Sequence, residues 1–357
     1  MTGKTSMKST GLEDVIAVET ALSHVDGQAG RLIVRDRDIE SWVGSESFDS
    51  FVPHMWAGLC DTTDLDVGKA RAEVFSMIAE RLKSVPDLSP IEKVRSVLAA
   101  LPDDHELPAP LLCLAVMCVT VPAVIRIELG GQPIAPDPRL STAADFLRMV
   151  RNTTASEEEI AGLDAYLVTV ADHGMNASTF AARVVASTQA GLVSSVVAGL
   201  CALKGPLHGG APGPVLDLLD ELQSTDDVGK AILNKLESGE RLMGFGHRIY
   251  RVRDPRAEIL KEAVGKLAKT AGRLDFAERL ESEILVQLRQ WKPDRPLETN
   301  VEYYTALLHE ALGFPRSTFT CVFGVGRTLG WTAHAMEQEA TGRLIRPRSA
   351  YLGLQAA

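Results

Sequence analysis

A chain of 357 residues with 45% hydrophobic and 5% aromatic content is longer than one average core needs. It predicts two domains, or one large helical domain with an insert, and the Ala, Leu and Val among its apolar residues suit close helix packing better than an aromatic-rich sandwich. A formal net charge of −10 argues against a general nucleic-acid binder and leaves any anion site to local arginines acting against the global field.

Met1 to Lys8 is polar and has no apolar stretch of the secretory kind, so the expectation is a cytoplasmic protein. Val25-Asp26-Gly27 has turn chemistry and Arg31-Leu32-Ile33-Val34-Arg35 is short and β-prone, which predicts a β-hairpin. Helices dominate after it. Val67 to Leu82 has apolar residues at helical spacing, closed off by Pro86. Ser89 as N-cap and Pro90 at the first helical position predict a helix to Leu101. The longest apolar run, Leu111 to Ile125, contains Pro122 and is too short to span a bilayer; it predicts a buried helix that ends or kinks at the proline. Ser156, followed by Glu157, Glu158 and Glu159, opens another helix with a cap and acids in its first turn.

Cys60, Cys113, Cys118, Cys201 and Cys321 form no CxxC pair and are expected to be buried reduced thiols. From Asn176 to Leu203 the chain is nearly free of charge and rich in small residues. That stretch is either a helix pair inside one subunit or a subunit interface. Proline and glycine cluster at 205–214 and 292–296, and the charged, amphipathic stretch between them predicts a smaller domain inserted in a larger one.

Four segments carry chemistry: Asp172-His173-Gly174-Met175-Asn176, Gly205-Pro206-Leu207-His208-Gly209-Gly210-Ala211, Gly244-Phe245-Gly246-His247-Arg248, and Asn300-Val301-Glu302-Tyr303-Tyr304. Two of the histidines lie among glycines, where the backbone comes close to a ligand and a turn holds the imidazole. A downstream carboxylate completes what is needed to take a proton from a weakly acidic carbon while donors hold the oxyanion. His208 sits in a fixed turn before a helix from Val215 to Leu222, where a depressed pKa would keep it a neutral donor; a plain surface turn is the alternative. His247 opens a run with Arg248, Arg251, Arg253 and Arg256, suited to a carboxylate or phosphate; a solvated basic loop before a helix from Arg256 to Ala271 is the alternative. Arg327 and the C-terminal Arg343, Arg346 and Arg348 form a second cationic group, and His173 is either a ligand-binding residue or a helix cap. No metal is expected, since no HExxH or Cys/His quartet exists, and Gly324-Val325-Gly326 is only a partial dinucleotide fingerprint.

In this order, and with Asp254-Pro255-Arg256, Gly326-Arg327-Thr328-Leu329-Gly330-Trp331 and Arg346-Pro347-Arg348-Ser349, the segments resemble the citrate synthase family from about Leu12 to Gly353. The resemblance implies a mainly α-helical, two-domain homodimer: a large domain of residues 1–209 and 310–357, and a small one of residues 210–309. It implies a cleft that closes on oxaloacetate, acetyl-CoA as co-substrate, no permanently bound cofactor, and neither nucleic acid nor membrane as partner. By position, His208 would hold the thioester oxygen, His247 would donate to the oxaloacetate ketone, and Glu302 would be the base. His173, His247, Arg256 and Arg327 would bind oxaloacetate, with Arg346 reaching in from the other subunit. Leu242, Met243, Gly244, Phe245 and Gly246 would cradle the adenine of coenzyme A.

The chain departs from the family pattern in places. The base is usually aspartate, and a methylene more moves a carboxylate by more than an ångström, roughly twice the ~0.5 Å that catalytic geometry tolerates. Pro212 stands where asparagine is common, Gly174-Met175 replaces Glu-Leu, and Asp36-Arg37 replaces Gly-Tyr. The long N-terminal domain of hexameric members is absent, which points to the dimeric type. Three functions follow: citrate synthase, 2-methylcitrate synthase acting on propionyl-CoA, or a catalytically weakened paralogue serving as a binding or assembly subunit.

Overall fold

Asp26 closes the first turn by accepting the amides of Gln28 and Ala29 at 3.0 and 2.9 Å. The turn joins β1 (Ser23–Asp26) to β2 (Arg31–Val34), and β3 (Arg37–Asp38) completes an antiparallel sheet in the order β1-β2-β3. Ser23 pairs with Val34 and Asp26 with Arg31, so the hairpin lies where its turn residues predict. The computed structural model describes residue 12 and residues 15–210, 212–267, 271–294 and 297–349. Met1–Lys8, Ala211 of the His208 turn, part of the 292–296 cluster and Gly353 lie outside the described residues.

Helices make up the rest. In chain order they are α1 (Ile39–Trp42), α2 (Phe48–Trp56), α3 (Val67–Lys83), α4 (Pro90–Leu98), α5 (Ala109–Glu128), α6 (Thr142–Arg151), α7 (Glu157–Val170) and α8 (Ala177–Ala186). Then come α9 (Leu192–Leu203), α10 (Pro212–Gln223), α11 (Val228–Glu237), α12 (Pro255–Gly265), α13 (Ala271–Trp291), α14 (Val301–Ala311) and α15 (Phe319–Thr341). Ser89 with Glu92 and Ser156 with Glu159 form capping boxes that start α4 and α7, as their spacing predicts.

Three expectations need correction. First, α5 neither ends nor is too short: it runs 20 residues through Pro122, long and apolar enough to cross a bilayer by length and composition. It lies instead in the core against α3, α4, α6, α9 and α15, and burial on every side offsets the one hydrogen bond that Pro122 removes. Second, the helices after Ser89 and Arg256 are shorter than expected. After Leu98 the amides of Ala100 and Leu101 turn back onto Val97 and Leu98, and α12 stops at Gly265 while Ala271 already belongs to α13. Third, Cys113, Cys118 and Cys321 are buried, with thiols pushed up to about 12 by burial, but Cys60 is half-buried and Cys201 is exposed.

The long helix α15 organises the core, and its glycines explain how. A Cβ on Gly326 would meet the Leu167 carbonyl oxygen of α7 at 2.8 Å, and one on Gly330 would overlap the carbonyl oxygen of Ala171. Gly324-Val325-Gly326 is therefore a packing surface inside a helix, with none of the strand and turn of a dinucleotide loop. Across α15, Gly199 of α9 lets the Trp331 ring approach so closely that a Cβ would sit 2.7 Å from it, so part of the small-residue stretch packs within this chain. Gly330→Ala should force α15 off α7 and lower stability by about 1–3 kcal/mol, measured as the shift in the denaturant midpoint at unchanged slope. An unshifted midpoint would show that the helices separate at no cost.

Candidate active site

The His173 loop follows α7 and is held from two sides. Asp172, fully buried, faces His334 Nε2 of α15 at 3.2 Å and accepts from the hydroxyl of Ser23 and the amide of Gly174. His334 Nδ1 lies 2.8 Å from Arg183 Nη1, which only donates, so the ring proton is on Nε2 and points at Asp172. His173 is buried with its Nε2 3.2 Å from the Tyr250 hydroxyl. Burial, with Arg256, His247 and Arg327 nearby, holds its pKa well below 6.5, so the ring is neutral.

The second loop begins at a glycine pair. Gly244 and Gly246 adopt φ of +89° and +80°, and a Cβ on either would come within 2.9 Å of Tyr303 or Leu297. The Gly246 amide donates to the Glu298 carbonyl at 2.7 Å, the Asn300 amide to the Gly244 carbonyl at 2.9 Å, and Asn300 Nδ2 to the Gly246 carbonyl at 2.8 Å. Residues Leu242 to Gly246 are thereby tied to the start of α14, with Phe245 edge-on to Tyr303.

His247 comes next, and its Nδ1 accepts the amides of Ile249 and Tyr250 at 3.1 and 3.2 Å. The proton must then be on Nε2, 3.4 Å from Arg256 Nη2. Two N–H groups thus face one small space, the arrangement that an acceptor oxygen would satisfy. Burial and Arg256 hold the His247 pKa at about 4, so the imidazole stays neutral. Its ring lies 5.3 Å from that of His173.

Asp254 holds Arg256 through Nε at 3.0 Å and Nη2 at 2.8 Å, and accepts the amides of Arg256 and Val301, both at 3.1 Å. One carboxylate therefore starts α12, starts α14 and orients the guanidinium. The basic run divides accordingly: Arg256 is 3% exposed, while Arg251 and Arg253 are exposed and Arg253 pairs with Glu40 at 2.6 Å. A wholly solvated loop is excluded for Arg256.

Glu302 is the second residue of α14, set there by Asn300, whose Oδ1 accepts the Glu302 amide at 3.0 Å. The residue is half-buried, and desolvation of its carboxyl raises its pKa to about 7 although Arg256 and Arg327 pull the other way. Arg327 of α15 is 1% exposed, donates from Nε to the Val170 carbonyl at 2.8 Å and lies over the Phe323 ring. Burial lowers its pKa only to about 10, so it remains charged at neutral pH.

His208 follows α9, its Nε2 2.8 Å from Ser178 Oγ. That hydroxyl accepts from Trp331 Nε1 at 3.1 Å and donates at 2.8 Å to Asn176 Oδ1, which also accepts the amides of Ser178 and Thr179. Turning the serine proton from Asn176 to His208 Nε2 would place the ring proton on Nδ1. The His208 pKa is lowered to about 4, by burial first and then by Arg327 and Arg248.

His173, His247, Arg256, Arg327, His208 and Glu302 thus form one group, joined through contacts and through the field of Arg327. Arg346 does not join it within this chain: it is exposed in the segment after α15, which the Ile345 amide ties to Ser187. Arg343 and Arg348 are exposed as well, so the second cationic group does not assemble around the buried Arg327. Ser178, Tyr250, Asp254, Asn300 and Trp331 belong to the site although the motif reading gave them no role. Asp254 and Asn300 had a signal, each a capping residue directly before a helix; the Ser178–His208 pairing spans 30 positions and had none. Among the described residues, no group of three or more His, Cys, Asp or Glu side chains is placed to hold a metal.

These features define a mainly α-helical enzyme with an acid–base cleft: neutral imidazoles, buried arginines and a carboxyl that titrates near neutrality. The profile described as "Citrate synthase, C-terminal domain" matches residues 11–348, and the chain belongs to the citrate synthase family. It is an acyltransferase of the kind that converts the acyl group to alkyl on transfer. It is 34% identical to the citrate synthase of Haloferax volcanii over 96% of this chain and 95% of that one. It is also 34% identical to the citrate/2-methylcitrate synthase of Bacillus subtilis over 97% and 96% of the two chains. The fold superposes with a TM-score of 0.86 on the citrate synthase of Thermoplasma acidophilum, solved as a ternary complex with carboxymethyl coenzyme A and oxaloacetate, at 26% identity over 97% and 96% of the chains.

The raised carboxyl has a consequence for stability. A group whose folded pKa is about 7 against an ordinary 4.5 binds its proton better in the folded state, so its contribution is present at low pH and lost as pH rises through 7. Glu302→Gln should therefore melt higher than the parent at pH 8 and together with it at pH 4.5. Parallel melting at both pH values would mean that the carboxyl is not raised.

Proposed function

We propose that the protein condenses oxaloacetate with acetyl-CoA and water to give citrate and free coenzyme A. The observation that carries this reading is Glu302, a carboxyl raised to about 7 in a cleft whose imidazoles stay neutral. A base of that pKa is half ionised at neutral pH and matches the weak acidity of a thioester methyl far better than an ordinary carboxylate.

In this reading Glu302 removes a proton from the methyl carbon, and His208, donating from Nδ1, holds the enol oxygen that develops. His247, donating from Nε2, hydrogen-bonds the oxaloacetate ketone, whose carbon the enol attacks; the ketone oxygen takes the proton as the carbon–carbon bond forms. Water then cleaves the citryl thioester and releases coenzyme A. Arg256 and Arg327 face the two carboxylates with His173, and Arg346 is supplied by a second copy of the chain in a homodimer. Residues Leu242 to Gly246 lie against the adenine. The large domain is taken as residues 1–209 and 310–357 and the small one as 210–309, with the cleft between them. The compartment is taken as the cytoplasm, to which unpaired buried thiols are suited.

The Bacillus subtilis relative, whose name covers both reactions, keeps propionyl-CoA as a second substrate class. One methylene in an apolar pocket discriminates by only about 1–3 kcal/mol. Glu302 in place of the family's aspartate keeps a weakened, assembly-type paralogue as a third reading.

Release of the coenzyme A thiol by purified protein with oxaloacetate, measured with acetyl-CoA and propionyl-CoA in parallel, separates the three. The expectation is fast release with acetyl-CoA, rising with pH through a limb near 7 because only the ionised carboxyl accepts a proton. His247→Ala should lower it by about 10²–10⁴-fold with the fold intact, the usual worth of a positioned proton donor. A propionyl preference moves the assignment to 2-methylcitrate synthase. No release with either, or a large gain on Glu302→Asp, assigns the weakened paralogue.

A further inference from the structure

The two histidines that face one another across 5.3 Å belong to loops 74 positions apart, and the N-terminal hairpin touches both. At the start of β1 the Ser23 hydroxyl donates to Asp172 and accepts the Gly174 amide at 3.1 Å, gripping the residues on either side of His173. At the far end, about 13 Å on at the rise of an extended strand, the Gly27 carbonyl accepts the Arg251 amide at 2.8 Å. The approach there is backbone to backbone: a Cβ on Gly27 would overlap the Ile249 carbonyl, and one on Gly30, at φ +64°, would lie 2.8 Å from the Arg253 carbonyl oxygen. The Arg253–Glu40 ion pair at 2.6 Å closes the same seam just beyond β3.

Ile249 connects this seam to the chemistry. Its carbonyl side meets Gly27 while its amide holds His247 Nδ1 at 3.1 Å. The other fastenings of the His247 loop, Gly246 to Glu298 and Asp254 to Val301, tie it to α14 and Glu302, and its direct hydrogen-bond contact with His173 is the Tyr250 hydroxyl, 3.2 Å from Nε2. Apolar burial contributes little to the seam. Ile249 is 44% exposed and a cavity of about 430 Å³ opens between the hairpin and Ile249 and Arg251, so the contact rests on close backbone approach, one hydrogen bond and one ion pair.

We propose that the β1–β2 hairpin is a two-point clasp whose Ser23 and Gly27 ends set the spacing of His173 and His247, making Gly27 a positioning residue for the dicarboxylate. The clasp deepens the condensation reading, and only its kinetic test depends on that reading. Undocking the hairpin leaves His247 fastened to the Glu302 helix, but linked to His173 only through the single Tyr250 hydroxyl contact. The loss then falls on the ligand that bridges the two histidines, not on the acyl-CoA.

Gly27→Ala and Glu40→Gln, each compared with the parent, test this by trypsin cleavage after Arg251 and Arg253, read by mass spectrometry, and by steady-state kinetics. Gly27→Ala should speed loop cleavage about tenfold and raise KM for oxaloacetate similarly, with kcat within about threefold because bound dicarboxylate re-docks the loop. KM for acetyl-CoA should not move. Glu40→Gln, which leaves the backbone untouched, should act in the same direction by about twofold, as an exposed ion pair allows, and carries the test if Gly27→Ala does not fold. Unchanged cleavage in the folded variants, or kcat falling at constant KM in proportion to lost folded protein, overturns the clasp. A parent protein that cleaves slowly and releases no coenzyme A refutes the condensation reading instead, and the cleavage comparison still decides the clasp.

Discussion

Asp254 brings two helices and one cation to the same point. Its carboxylate accepts the first amides of α12 and α14 and grips Arg256 with both oxygens, almost fully out of water. A carboxylate at a helix N-terminus already satisfies orphan amides and opposes the dipole. Here one carboxylate does so for two helices, so the direction of Arg256 and the depth of Glu302 are not independent. Removing one partner of such a buried pair costs about 3–5 kcal/mol, because the other is left charged and unpaired. The site therefore depends on Asp254 although Asp254 need touch no substrate.

Around it, burial and charge act in opposition. Arg256 and Arg327 are almost fully buried and remain charged, and Arg327 has a backbone carbonyl and an aromatic face rather than a bidentate carboxylate. Such a cation is costly unless something anionic completes it. Burial first, and nearby arginines after it, suppress protonation of His173, His208 and His247, which keeps all three neutral. Glu302 feels the opposite balance: burial raises its carboxyl more than the two arginines lower it. An acid–base pair with separated pKa values arises from one environment.

The start of α14, which carries Glu302, is fixed at the level of the backbone. Asn300 caps α14 through the Glu302 amide and simultaneously ties the Gly246 carbonyl, so the helix start is anchored on both sides of the cleft wall. Tyr303 and Tyr304, the next two residues, are buried with hydroxyls bonded to the Ala277 carbonyl and to Glu281. Those bonds hold the first turn of α14 in one orientation, and the longer carboxylate extends from a fixed base.

Signals within a few residues of one another could be read before folding. Cap residues, turn residues and apolar spacing place the hairpin and the starts of α3, α4 and α7, because the signals concerned are local. The four chemical segments were legible as residue types, and their common order carried the family resemblance. Only the tertiary structure decided which groups meet. Ser178 reaches His208 across 30 positions, and Asp172 reaches His334 across 162. The hairpin bridges the two histidine loops, and α5 continues through Pro122 because neighbouring helices cover it on every side. The sequence by itself determined the inventory of donors, acceptors and helix starts. Packing determined their distances, burial and protonation, since a pKa and a contact between distant segments depend on what surrounds a group in space.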